Sequence, residues 1–429
     1  MEPWLTRAAR IHGTRTAITT GDGARLTYAE LYDHSRAVAG ELQARRVAPG
    51  DHVALALPSL ELVIGLHACL LLGVVAVPID LRLTEAEQAL RTAHASLVLD
   101  ALPDTAGGQG SARGPRDING DATATLMFTS GTTAGPKPVA LTYDNWLWNA
   151  LGSALALGLD PAEKWLCPMP LAHVGGLSIQ IRSAVYGTTV LLHGRFETER
   201  VLAALMDGAE RVTLVSLVPT MLSRLLDAGL REPPALRRVL LGGGPIAPAL
   251  LARARDAGVT VSPSYGMTEA CSQIATDGVP LLGTEVRIAD DGEVLVSGRT
   301  VAPGALGPDG WLHTGDLGAW DEHGRLVIAG RKADTIVTGG ENVAPVEVES
   351  VLLEHPGVVD AAVFGRADAE WGEAIVAQVV LADGADLAPE ALRSHCAARL
   401  APFKVPKRFE AVAVVPRGTT GKLLRRELR

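Results

Sequence analysis

The stretch Phe128-Thr129-Ser130-Gly131-Thr132-Thr133-Ala134-Gly135-Pro136-Lys137 constrains this chain more than any other. Hydroxyl side chains, two glycines and a lysine follow directly on the largely apolar residues 124–128. A buried strand feeding such a loop is expected to deliver backbone N–H groups to an anion such as a polyphosphate. The competing reading is a flexible Gly/Thr surface loop. A Walker A loop is excluded, because it needs four residues between its first glycine and Gly-Lys, then Ser or Thr. Here three residues separate Gly131 from Gly135, and Pro138 stands where a magnesium-binding hydroxyl would be.

At 429 residues the chain exceeds the usual size of one domain, so two or three are expected. Its 47% hydrophobic content supports a large core, and a net charge of −9 argues against a nucleic-acid scaffold. Cys69, Cys167, Cys271 and Cys396 are too scattered to suggest a zinc site or a disulfide framework. The N-terminal residues show no signal-peptide pattern. The apolar run 62–77, broken by His67 and Gly73, is shorter than the roughly 20 residues a bilayer span needs. A cytoplasmic protein without membrane insertion is the expectation.

Local patterns give a coarse map. Residues 26–45 read as a helix with Thr27 as N-cap and Glu30 three positions later. Residues 51–57 read as a strand, 60–72 as a helix and 74–77 as a buried strand. Helix and strand alternate again over 145–261, which predicts a mainly parallel sheet covered on both faces. Residues 103–121 read as a surface connection. After Gly283 short strands and tight turns predict a β-rich subdomain. A compact unit then follows from about 334: helix 345–353, strands 358–365 and 373–381, helix 388–400. The boundary is placed at 331–333, dividing 1–330 from 334–429.

Five later segments give the loop its meaning. Leu241-Gly242-Gly243-Gly244-Pro245 offers backbone that can lie flat on a planar base. Ser264-Tyr265-Gly266-Met267-Thr268-Glu269 supplies an aromatic face, hydroxyls and a carboxylate. His313-Thr314-Gly315-Asp316 ends in a carboxylate suited to ribose hydroxyls, and Gly330-Arg331 and Gly421-Lys422 supply cations. In this order the six segments resemble the adenylate-forming enzymes, a superfamily of acyl-CoA synthetases, peptide-synthetase adenylation domains and luciferases. The resemblance covers nearly the whole chain. Within the superfamily, residues 170–178, 240–245 and 264–274, with Thr335-Ile336-Val337-Thr338-Gly339-Gly340-Glu341-Asn342, are most similar to the o-succinylbenzoate–CoA ligase family of menaquinone biosynthesis.

That resemblance implies an α/β fold: a large N-terminal domain of stacked mixed sheets with helices and a β-rich subdomain, and a small mobile α+β C-terminal domain. It implies ATP, Mg2+ and coenzyme A as partners of an aryl acid, o-succinylbenzoate; a homodimer stays open. ATP would lie on Thr129, Ser130, Gly131, Thr132, Thr133 and Lys137, on Gly243, Gly244 and Pro245, on 264–268, and on Asp316 and Arg331. Lys422 would bridge the carboxylate and the α-phosphate, and Glu269 with Thr132 would hold magnesium. His173, Gly175, Ser178, Thr220, Gly242, Thr268 and Ser272 would line the acyl site, with Arg182 or Arg224 candidates for its second carboxylate. Gly339, Gly340 and Glu341 would shape a coenzyme A tunnel after rotation about Ala333.

Each assignment has a plainer competitor. Thr-Gly-Asp is a common turn, an isolated histidine is more often structural than catalytic, and Tyr265 fits a core aromatic. Ala134 and Pro138 stand where the family usually has glycine, and Ala333 where it often has a polar hinge residue. Other acyl-CoA synthetases, a stand-alone adenylation enzyme and a non-catalytic nucleotide-binding protein are the alternative functions.

Overall fold

The computed structural model describes residues 1–103, 117–129, 136–382, 384–385, 387–417 and 423–428. Ser130, Gly131, Thr132, Thr133 and Lys422 lie outside the described residues, as does most of the expected surface connection at 103–121.

Helix Tyr28–Ala44 begins as its sequence dictates. The Thr27 hydroxyl accepts from the Glu30 N–H while the Glu30 carboxylate accepts from the Thr27 N–H. That reciprocal cap satisfies two donors that the first helical turn leaves unpaired. Helix Ser59–Leu72 is buried on every face from Leu62 onward and stops at Gly73, whose φ of +74° is the left-handed conformation that ends a helix cheaply. It is a core helix and packs against Tyr28–Ala44.

Two sheets are built around these helices. Among the described residues the smaller runs Leu97–Leu99, His52–Leu55, Val75–Pro78, Thr123–Thr129, Lys137–Thr142, parallel except for the last strand. The larger has nine strands, and Lys164–Cys167, Thr189–Leu192, Leu214–Leu217, Arg238–Leu241 and Val261–Met267 run parallel within it. The strand Thr16–Thr20 joins it beside Thr189–Leu192, also parallel. Buried polar bonds tie the layers: the Tyr28 hydroxyl donates to the Ser183 and Thr188 carbonyls, and Trp146 Nε1 to Thr125 Oγ1. The stacked mixed sheets expected from the sequence are present.

After Gly283 come the antiparallel strands Thr284–Ile288, Glu293–Gly298, Leu312–Trp320 and Leu326–Arg331, the expected β-rich subdomain. A 3-10 turn, Lys332–Asp334, leads to a separate core packed on Pro345–Leu353, Val358–Asp368, Gly372–Leu381 and Pro389–Ala397. No described helix is long and apolar enough to cross a membrane.

Candidate active site

Parallel sheets place ligands beyond the carboxyl ends of their strands, and the candidate residues gather there. Strand Lys164–Cys167 leads to His173, Leu214–Leu217 to Thr220, Arg238–Leu241 to Gly242, Gly243, Gly244 and Pro245, and Val261–Met267 carries Ser264, Tyr265, Gly266 and Met267. In the smaller sheet Thr129 ends one strand and pairs with Lys137, which opens the next, so these two residues flank the segment expected to take the phosphates.

The glycine turn is shaped by close neighbours. A Cβ on Gly242 would lie 2.9 Å from the Ser264 carbonyl oxygen, and one on Gly243, at φ +80°, would lie 3.2 Å from Val218. Only bare backbone fits comfortably between these walls, which leaves a flat backbone surface at the turn. Gly266 is tighter still, since a Cβ there would overlap the Ser272 carbonyl oxygen. The chain turns back through Thr268–Ala270 with Cys271 and Ser272 both at positive φ, +54° and +90°. Two adjacent non-glycine residues in that region store strain next to the half-buried Glu269.

Asp316 collects the polar groups. The Tyr265 hydroxyl donates to its Oδ2 at 2.7 Å, and Arg331 Nε lies 2.7 Å from its Oδ1. Its own N–H donates to Thr314 Oγ1, whose hydroxyl donates to the Val294 carbonyl. Burial, with Asp316 adding to it, raises the Tyr265 phenol so that it stays a neutral donor. The preceding Gly315 N–H donates to Glu293 Oε1 at 2.9 Å.

His173 is the N-cap of helix Val174–Tyr186. Its Nε2 lies 3.6 Å from Asp80 Oδ2, an ion-pair distance rather than a hydrogen bond, and has no hydrogen-bond partner among the described residues. Burial would raise the Asp80 carboxyl, but the Arg82 guanidinium, His173 and the Arg82 N–H outweigh it and hold the group well below the usual range. Arg82 contacts both carboxylate oxygens, with Nε at 2.8 Å and Nη2 at 2.5 Å. Sequence reasoning missed Asp80. Its signal was an acid two residues past the buried strand Val75–Pro78, at the same end of the sheet as Thr129.

The acyl-site candidates divide. Gly175, Thr220, Thr268 and Ser272 are half-buried, whereas Ser178 is buried and donates its hydroxyl to the Gly175 carbonyl. Arg224 is exposed. Arg182 is 2% exposed, with Nη2 2.5 Å from Asn149 Oδ1 and its guanidinium over the Trp165 ring. Among the described residues its Nε has no hydrogen-bond partner. Gly339 and Gly340, at φ +59° and +84°, form the tip of a hairpin in the C-terminal sheet, with Glu341 exposed. Among the described residues no three His, Cys, Asp or Glu side chains converge as a metal site.

Models of two families match this chain: AMP-binding enzyme over residues 5–107 and 96–306, and AMP-binding enzyme C-terminal domain over 347–422. The chain belongs to the AMP-binding enzyme family. A relative within this family, the 2-succinylbenzoate–CoA ligase of Bacillus licheniformis, is 40% identical over 99% of this chain and 98% of its own length. The Bacillus subtilis o-succinylbenzoate CoA synthetase in complex with its acyl-adenylate intermediate superposes with a TM-score of 0.91 at 36% identity, covering 100% of this chain and 98% of that one. A double mutant of the same synthetase bound to a product analogue covers the same shares at 37% identity, but with a TM-score of 0.73. This AMP-binding enzyme is therefore arranged more like the acyl-adenylate complex than like the product-analogue complex.

Proposed function

We propose that the chain is an AMP-forming acid–thiol ligase that activates o-succinylbenzoate with ATP and transfers it to coenzyme A. The observation that carries this reading is the junction of Tyr265, Asp316 and Arg331 beside the glycine turn, in a chain whose full-length relatives bear that ligase name.

A carboxylate cannot acylate a thiol directly, because its leaving group would be oxide. Its oxygen instead attacks the α-phosphorus of ATP, pyrophosphate leaves, and a thiolate then displaces AMP from the acyl-adenylate. The first step brings two anions together, so orientation and charge neutralisation dominate. The Tyr265 ring and the Gly243–Gly244 backbone would flank adenine, while Asp316 accepts from the ribose. Lys422 would neutralise the meeting oxygens. Magnesium would add charge neutralisation at the phosphates, and the single carboxylate of Glu269 suits it, since this ion takes few protein ligands alongside substrate phosphates.

The second carboxylate of o-succinylbenzoate needs a buried cation or several donors. Arg182, buried with an Nε that has no partner among the described residues, is our choice for that role over the exposed Arg224. His173 would wall the acyl site where the thiol enters. For the second half-reaction we propose that residues 334–429 rotate about Ala333, bringing Gly339, Gly340 and Glu341 to the adenylate. Cytoplasmic action on small molecules belongs to the same reading.

The test is product identification by mass spectrometry with o-succinylbenzoate, ATP, magnesium and coenzyme A, beside pyrophosphate exchange over a panel of acids. Formation of o-succinylbenzoyl-CoA is expected. Exchange with benzoate or fatty acids alone would assign the chain to a different acyl-CoA synthetase.

A further inference from the structure

We infer that Lys332 is a positioning residue whose ion pairs to Asp291 and Glu293 confine the rotation of the C-terminal unit to the torsions of Ala333. Its Nζ lies 2.6 Å from Asp291 Oδ2 and 3.1 Å from Glu293 Oε2, both on the β-rich subdomain. Glu293 is itself fixed, because its other oxygen accepts the Gly315 N–H and His313 Nδ1 stands 3.7 Å away. Arg331, one residue earlier, is held by Asp316. One residue past Ala333 the attachments reverse. Asp334 Oδ2 accepts from Arg425 Nε at 3.1 Å, and Arg425 also binds both carboxylate oxygens of Glu349 inside the C-terminal unit.

The side chains of residues 331 and 332 are thus held by the large unit and that of 334 by the small one, with Ala333 between the two sets of anchors and bridged by the Thr335 hydroxyl and N–H, which donate to the Arg331 and Lys332 carbonyls. A pivot spread over three residues reaches many orientations; a pivot of one residue reaches few. Ala333 has no polar side chain with which to fix its own position, so the flanking ion pairs supply the definition. Isolated exposed pairs contribute little, but here one lysine meets two carboxylates, and the side chain of one of them is only 10% exposed.

The inference rests on the rotation proposed above, and the experiment separates the two. All four native cysteines are buried, so spin labels go selectively to Glu322→Cys and Val359→Cys, at exposed positions on the two units. Distance distributions are recorded for the full-length enzyme with ATP and with acid, ATP and coenzyme A. Wild type should give a narrow distribution that moves between the two conditions. Lys332→Met and Asp291→Asn should broaden it in both, lower kcat of both half-reactions about two- to fivefold, and leave KM for ATP unchanged; Lys332→Arg should restore the width. Unchanged widths and rates in Lys332→Met, with a wild-type distance that moves, would overturn the positioning role alone. A wild-type distance that never moves would overturn the rotation and this inference with it.

Discussion

The Tyr265 hydroxyl and the Asp316 carboxylate meet at 2.7 Å, joining the strand Val261–Met267 of the large sheet to the strand Leu312–Trp320 of the β-rich subdomain. In the proposed function Tyr265 acts twice, its ring flanking adenine and its oxygen bonding the residue that would take the ribose. Tyr265→Phe keeps the ring and removes only the bond. A hydrogen bond to a charged group contributes about 1.5–3 kcal/mol, so KM for ATP in pyrophosphate exchange should rise roughly tenfold or more. Because the same bond is made without a ligand, the unfolding free energy should also fall, by no more than that amount.

Gly266 has no room for a side chain, because its missing Cβ would overlap the Ser272 carbonyl oxygen. Gly266→Ala must displace the Cys271–Ser272 turn and Glu269 with it. A loss of about 2–4 kcal/mol in denaturant unfolding, of the order of other overpacking and strain effects, should accompany an adenylation rate reduced at least tenfold. A soluble variant with wild-type kinetics would show that the turn shifts freely.

Asp80 contributes a pH signature. A carboxyl held below its unfolded value of about 4 stabilises the fold above that pH and loses the contribution as pH falls toward the folded value. Asp80→Asn should therefore be less stable than wild type at pH 7, with the gap narrowing below about pH 5. Urea unfolding across that range reads it directly, and a gap that widened on acidification would reverse the argument.

Lys422 is assigned to adenylation alone. Lys422→Ala should abolish formation of the acyl-adenylate yet leave thioester synthesis from supplied acyl-adenylate measurable. Single-turnover assays of each half-reaction check this, and equal loss in both would contradict the division.

Arg425 anchors the residues just past Lys422. Its guanidinium meets Asp334, Glu349 and the Val363 carbonyl, with 14% of the side chain exposed. Removing one partner of a buried pair costs about 3–5 kcal/mol. Arg425→Met should approach that loss in the C-terminal unit, seen as faster amide exchange over Val358–Asp368 while the large unit stays protected.

Local chemistry made part of this legible in advance. The reciprocal cap at Thr27 and Glu30 and the proline-started helix Pro345–Leu353 are written in a few adjacent residues. The glycine turn and the Tyr265 strand were readable because their residue types suit a nucleotide. Pairings between distant segments were not. Nothing in residues 16–20 names 189–192 as a neighbour, and Asp80 could not be matched to His173 because they sit in different sheets. Nothing near Lys332 in the sequence marks its role, since its partners lie some forty positions earlier.

The placement of Thr16–Thr20 against Thr189–Leu192 has a consequence for biosynthesis. That strand leaves the ribosome early but can find its parallel neighbour only after residue 192 has emerged. At about 5–20 residues per second the delay is on the order of ten seconds or more. Throughout that interval an unpaired edge is open to misassociation, so the nascent chain is expected to depend on holdase chaperones until translation has passed that point.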